Sequence, residues 1–195
     1  MFDWFSTGAD STKANTNAID LLKADHDNVK ELFDRFEKSE NAPARKRIVK
    51  QALAELKAHA AIEEEIFYPA VRAHVGKDLM NEADEEHHVA KILVAELDDM
   101  NGRGDHFDAK FTVLAENVRH HIKEEENEML PKAKELKMDF DKLGEAMLAR
   151  KKQLLKNGFP PVGEEKMVAA THTKGDSPAK ASRKKRTSRS KALVS

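Results

Sequence analysis

Four apolar stripes, each interrupted by a histidine, constrain this chain more than any other feature. Apolar residues recur at alternating steps of three and four, which is the signature of amphipathic helices. The first stripe runs Ile19, Leu22, Val29, Phe33, Phe36 with His26 in series, and the second runs Val49, Ala52, Leu56, Ile66, Ala70 with His59 and Glu63 in series. The third has Leu79, Ala83, Ala90, Val94 and Leu97 around His87, and the fourth has Phe107, Phe111, Leu114, Val118 and Met129 around His121 and Glu125. No stretch sustains the alternation of a strand. Helices of this length joined by short turns predict an all-α, up-down-up-down antiparallel four-helix bundle.

The turns are legible too. Asn17 or Thr16 is placed to cap the first helix, and Ser39–Pro43 breaks it from the second, with Pro43 suited to a first helical turn. The second helix ends near His74–Gly76, the third runs from about Asp78 to Met100, and Asn101-Gly-Arg-Gly104 is a turn. Pro69 and Pro131 fall inside apolar patterns and are expected to kink or reset their helices. A fifth helix is expected over about Asp139–Leu155. The resulting division is an irregular arm over 1–16, a bundle over 17–136, a flanking helix over 137–156 and a disordered tail over 157–195.

The second and fourth helices carry a repeat. His59-Ala-Ala-Ile-Glu63 leads to Pro69, and His121-Ile-Lys-Glu-Glu125 leads to Pro131, with the histidine ten residues and the glutamate six residues before each proline. Residues i and i+4 share a helix face, so each pair aims an imidazole and a carboxylate at one point. A single pair of this kind is ordinary on a solvated face. Two pairs in apolar stripes are not, because unpaired buried charge is costly. His26 and His87 occupy matching heights on the other two helices, so one polar layer is expected across the bundle core. Imidazoles and carboxylates without thiolates suit iron, manganese or zinc, and two glutamates able to bridge suit a two-metal centre.

The order His26, His59-x-x-x-Glu63, His87, His121-x-x-x-Glu125 resembles the hemerythrin-like, or HHE cation-binding, family, as do the Phe-Tyr-Pro and Met-Leu-Pro endings of the repeat. The resemblance covers about residues 17–136. It implies a non-haem di-iron centre with His26, His59, His87 and His121 as terminal ligands and Glu63 and Glu125 as bridges. Oxygen-carrying hemerythrins place two histidines four apart on the third helix; here Lys91 follows His87 by four and Ala83 precedes it by four. His88, Glu86 or water is left to complete the site, which favours direct access of peroxide or nitric oxide over simple oxygen carriage.

Neighbouring residues have plainer readings. His87 shares the apolar stripe and is preferred to His88. His120 faces solvent, and His74, His106 and His172 belong to turns or the tail. Glu64, Glu65, Glu124, Glu126 and Glu128 read as a solvated face or as groups behind the ligands, one of which orients a ligand imidazole. Tyr68 reads as a packed aromatic with its hydroxyl at the surface, in preference to a role near the metal.

Composition excludes several other classes. The chain has no cysteine, so disulfides, iron–sulfur clusters and thiolate zinc sites are ruled out. Its start lacks a basic n-region and an apolar h-region, and no apolar run reaches the length of a membrane span, so a cytoplasmic protein is expected. The net charge of −1 conceals an asymmetry: residues 156–195 carry ten Lys/Arg against three Asp/Glu, leaving about −8 for residues 1–155. The basic run Arg183–Lys191 offers electrostatic attraction to nucleic acid without interleaved aromatics for stacking. The resemblance, taken with these features, implies a binder or sensor of O2, peroxide or nitric oxide. An iron-buffering module and a DNA-associated protein are the alternatives.

Overall fold

The computed structural model describes residues 17–160 and Gly163. The expected arm over 1–16, Thr16, His172 and almost all of the tail lie outside the described residues. The described chain is helical throughout: α1 (Ala18–Lys38), α2 (Ala42–Ile62), α3 (Tyr68–Val75), α4 (Lys77–Met100), α5 (Phe107–Glu124), α6 (Leu130–Lys134) and α7 (Phe140–Asn157). No strand occurs among the described residues. π-helical turns at Glu63–Phe67 and Glu125–Met129 join α2 to α3 and α5 to α6, so four long helical rods make the bundle.

Local chemistry sets the boundaries. Asn17 caps α1 by accepting from Ile19 N, and Asn41 caps α2 by accepting from Ala44 N, with Pro43 in the first turn. Gly76, at a φ of +105° that an L side chain rarely adopts, makes the reversal between α3 and α4 in one residue. Asn101 ends α4 in the left-handed conformation with its N–H on Leu97 O at 3.2 Å. α7 begins at a cap, with Asp139 accepting from Lys142 N.

The rods pack as a closed ring. α1 meets α2, α2 meets α4, α4 meets α5, and α5 returns to α1, while α7 lies along α1 and α2. The core divides into two apolar clusters. One contains Phe33, Phe36, Leu53, Leu97 and Phe111; the other contains Leu22, Ile62, Phe67, Val71 and Met129. Between them lies the polar layer: His26 follows Leu22 by one turn, and His59 precedes Ile62. The antiparallel rods thus bring residues distant in sequence to one height at mid-bundle.

The π turns correct one expectation. The second stripe was expected to continue through Ile66 and Ala70, but Phe67 and Val71 are the buried residues, one position later. The cause lies in the backbone ladder. Tyr68 N–H bonds to Glu63 O, and Leu130 N–H bonds to Glu125 O, five residues back instead of four. Each wide turn precedes a proline, which has no N–H to continue the ordinary ladder. The proline therefore resets its helix, and the extra residue rotates everything after it.

Candidate metal centre

All six residues singled out above converge in the polar layer. Relative exposure is 0% for Glu63, 1% for Glu125 and His26, and 5–7% for His87, His121 and His59. The stripe of each helix carries its histidine inward as it carries its leucines. Donor atoms of His26, His59, Glu63 and Glu125 lie within 4.8 Å of one another, as do those of Glu63, His87 and His121. Glu63 belongs to both groups. Its Oε1 is 3.1 Å from His59 Nε2 and its Oε2 is 3.4 Å from His87 Nε2. Glu125 Oε2 is 3.1 Å from His26 Nε2. The imidazoles also meet in pairs, His26 with His59 at 3.1 Å and His87 with His121 at 3.2 Å between Nε2 atoms.

Behind every imidazole stands a carboxylate. His26 Nδ1 lies 2.9 Å from Glu126 Oε1, His87 Nδ1 2.9 Å from Glu64 Oε1, and His121 Nδ1 2.7 Å from Glu86 Oε2. His59 Nδ1 faces Asp25 Oδ2 at a longer 3.5 Å. At His26, His87 and His121 a ring N–H donated to the carboxylate fixes the tautomer and turns Nε2 into the layer, whereas His59 Nδ1 and Asp25 Oδ2 make no hydrogen bond. Two of the acidic neighbours read from the sequence, Glu64 and Glu126, have this orienting position. Asp25 and Glu86 were not anticipated in it. Glu86 therefore stands behind His121 and not in the layer, and His88 is exposed.

Tyr68 requires a correction. Its hydroxyl is not at the surface: the residue is 1% exposed, and Oη lies 3.2 Å from His87 Nε2 and 3.4 Å from His121 Nε2. In an α-helix a residue five past Glu63 points about 140° away from it. The π turn closes a ring between those same residues and brings Tyr68 back over the layer. Tyr68 thereby occupies the half of the site formed by His87 and His121. Lys91, four residues after His87, reaches to Glu64 Oε1 at 3.1 Å. The signal available in sequence was Pro69, which announces the altered register.

The electrostatics of the layer favour positive charge. Burial alone lowers the pKa of His59, yet Glu63 and Asp25 outweigh it and raise the value from 6.5 to about 10. His87 is likewise disfavoured as a cation by burial, but Glu63 and Glu64 raise it to about 9. Glu63 loses hydration by burial, and the positive field of His59 and His87 nonetheless holds it well below the usual carboxylate range. Burial and the nearby carboxylates push Tyr68 well above 10. The oxygens of Glu63 and Glu125 lie close to imidazole nitrogens, yet none of the four is aligned for a hydrogen bond. A buried carboxylate left uncompensated costs several kcal/mol. Four such oxygens beside the imidazole nitrogens make a donor set suited to a metal cation, and the residues present fit one.

A cavity of about 150 Å³ reaches this layer. Val29, Leu56, Ala90, Val94 and Val118 line its apolar part, His26, His59, His87 and His121 its floor, and Phe159 and Pro160 its outer wall. Asn117, which also lines the cavity, has a buried Oδ1 without a hydrogen-bond partner. The volume is comparable to apolar cavities that take up xenon or benzene. A third acidic group, Glu86, His120 and Glu124, lies outside the core, with His120 mostly exposed.

An antiparallel helical bundle whose core layer holds four imidazoles and two carboxylates defines a cation-binding bundle protein. This chain belongs to the family described as the hemerythrin HHE cation binding domain, whose profile matches residues 17–133. The crystal structure of a hemerythrin HHE cation-binding-domain protein from Mycobacterium kansasii is similar to it, with a TM-score of 0.62 and 26% identity over 72% of this chain and 88% of that one. A DNA nickase from Nostoc sp. is 29% identical over 117 residues, which is 60% of this chain. The chain spans about a third of that relative's length, 33%. Among the described residues, no helix is long and apolar enough to cross a membrane.

Proposed function

We propose that His26, His59, His87 and His121, with Glu63 and Glu125, hold two non-haem iron ions, and that the protein binds or senses O2, peroxide or nitric oxide there. The observation that carries this reading is the donor layer itself. Six buried ligand groups converge, one carboxylate reaches both halves, and each imidazole is backed by a carboxylate. Iron held in this way would supply exchange of electrons with a small ligand at an open position. The protein's residues do the rest. Glu63 ties the two halves together, the outer carboxylates raise the basicity of the imidazoles and hold them turned toward the layer, and the apolar cavity admits small molecules while limiting water. Tyr68 places a protonated hydroxyl beside His87 and His121, where it can donate a hydrogen bond to a bound ligand. The small cavity and the absence of a nucleophile–base pair among these residues favour a binder, sensor or scavenger over an enzyme with an organic substrate.

The test is metal content per chain together with an optical spectrum, before and after dithionite and then air. About two irons with a ferric absorption that bleaches and returns support the reading. One zinc, or a silent spectrum, would replace it with a metal-handling role. Exposure of the reduced protein to nitric oxide and to peroxide then separates the ligands.

A second reading, association with DNA, is supported by the basic run Arg183–Lys191 and by the DNA nickase among the relatives. Phosphate neutralisation by such a run is steeply salt-dependent. Deleting residues 157–195 is expected to abolish retention on DNA at low salt, and unchanged retention would remove this reading.

A further inference from the structure

The family profile ends at residue 133, and α7 begins beyond it at Phe140. This helix is nevertheless built into the centre. It docks on α1 and α2 through buried Gly144, Met147 and Leu154. From that seat Lys151 Nζ reaches Asp25 Oδ1 at 2.6 Å and Glu55 Oε2 at 3.0 Å, with only 12% of the lysine side chain and 10% of the aspartate side chain exposed. The other oxygen of Asp25 faces His59 Nδ1 at 3.5 Å, an ion-pair contact without a hydrogen bond. Lys151, Asp25 and His59 thus form a chain from the outer helix to the polar layer.

The arrangement differs from that behind the other three imidazoles. Glu126, Glu64 and Glu86 all approach Nδ1 to within 2.9 Å. Asp25 is one methylene shorter and stands at 3.5 Å, so its hold on His59 depends on what fixes it from the far side. The ammonium of Lys151 does this, and it also neutralises the repulsion between Asp25 and Glu55, which it bridges. The lysines behind Glu126 and Glu64, Lys30 and Lys91, are more exposed, at 36% and 26% of their side chains.

We propose that Lys151 is a positioning residue of the metal centre: by holding Asp25 it orients His59, so that α7, outside the family-matched region, sets the affinity of the metal position formed by His26 and His59. The inference rests on the metal-centre reading above. Removing the ammonium frees Asp25 to turn away, and His59 loses its orienting partner. Loss of such an outer partner weakens metal binding by ~10- to 100-fold.

The test is anaerobic ferrous iron uptake by the full chain in competition with a chelator, for wild type, Lys151→Met, Lys151→Arg and Met147→Ala. One of the two ions is expected to bind Lys151→Met about tenfold or more weakly, the other as in wild type, and Lys151→Arg is expected to restore the lost affinity. Met147→Ala loosens the docking of α7 without touching the chain of contacts, so it is expected to lower the melting temperature and leave both affinities near wild type. Equal weakening in Met147→Ala and Lys151→Met at the same melting temperature would overturn the inference, since packing alone would then explain it. Wild-type affinities in Lys151→Met would also overturn it while leaving the two-metal reading intact. A wild-type chain that takes up no iron would remove that reading and this inference with it.

Discussion

The two copies of the repeat, His59–Pro69 and His121–Pro131, have the same spacing, the same π turn and the same buried glutamate, yet they build unequal halves of the site. Glu63 faces His59 with one oxygen and His87 with the other, whereas Glu125 approaches His26. The residue rotated inward by the first π turn is Tyr68, whose hydroxyl meets His87 and His121. Its counterpart after the second turn is Leu130, which packs into the apolar cluster with Met129 and Ala133. Equal backbones therefore deliver different chemistry: one repeat supplies a carboxylate that reaches both halves and a hydrogen-bond donor, the other a carboxylate that approaches one imidazole and a hydrophobe. Helical geometry decides where a side chain arrives, and residue type decides what arrives there.

The largest expected effect comes from removing the two carboxylates separately. If the proposed two-metal centre forms, Glu63→Ala should bring the chain from about two metal ions to near none, because this carboxylate reaches both halves, whereas Glu125→Ala should retain about one. Metal analysis after gel filtration, with far-UV circular dichroism to verify helix content, checks this. Equal losses would erase the asymmetry between the repeats.

Next in size is Tyr68→Phe, which keeps the ring in the core and deletes the hydroxyl. Its effect is expected in the His87 and His121 half, as ~10-fold slower reaction of the reduced centre with peroxide or a shifted ferric absorption, with metal content unchanged. Stopped-flow absorbance measures both. Leu130→Met, the volume-conserving change at the matching position, should leave both signals alone and shift stability by less than ~1.5 kcal/mol.

A pH series sharpens the comparison further. His59 and His87 have folded-state values raised to about 10 and about 9. Their protonation stabilises the metal-free fold fully below the unfolded value near 6.5, and this contribution disappears as pH rises through 9 and 10. Melting midpoints in chelator should therefore fall across that window. Protons and metal compete for the same nitrogens, so metal affinity should climb over the same range. Affinity independent of pH would contradict the ligand set.

The smallest effect is expected from Pro69→Ala and Pro131→Ala. Each restores a backbone N–H and removes the block on a continuous α ladder, so each should change stability by about 1 kcal/mol or less. Denaturant midpoints measure it. A change in the Tyr68-dependent reactivity of Pro69→Ala alone would show that the register, and not the hydroxyl alone, places that group.

Much of this molecule was legible along the chain. The helices and the inward position of all six ligand candidates follow from a period of three to four, because a buried stripe must face a partner, and the cap at Asn17 was legible from its residue type. The stripe lost its phase after Glu63, where an i−5 bond shifted burial from Ile66 to Phe67 and turned Tyr68 inward. Pro69 hinted at a break without specifying its form, since a kink, a stop and a π turn all relieve the missing N–H.

Sequence alone determined the ring of helices and the polar layer at its centre, because patterning along one rod is a local property and antiparallel pairing by short turns aligns the heights. The tertiary structure alone decided which carboxylate stands behind which imidazole. Asp25 serves His59 from α1, Glu86 serves His121 from α4, and Lys151 supports Asp25 from α7. These contacts join residues with no fixed spacing in the chain. They depend on the rotation and separation of packed helices, which are set by how all the side chains between them fit together.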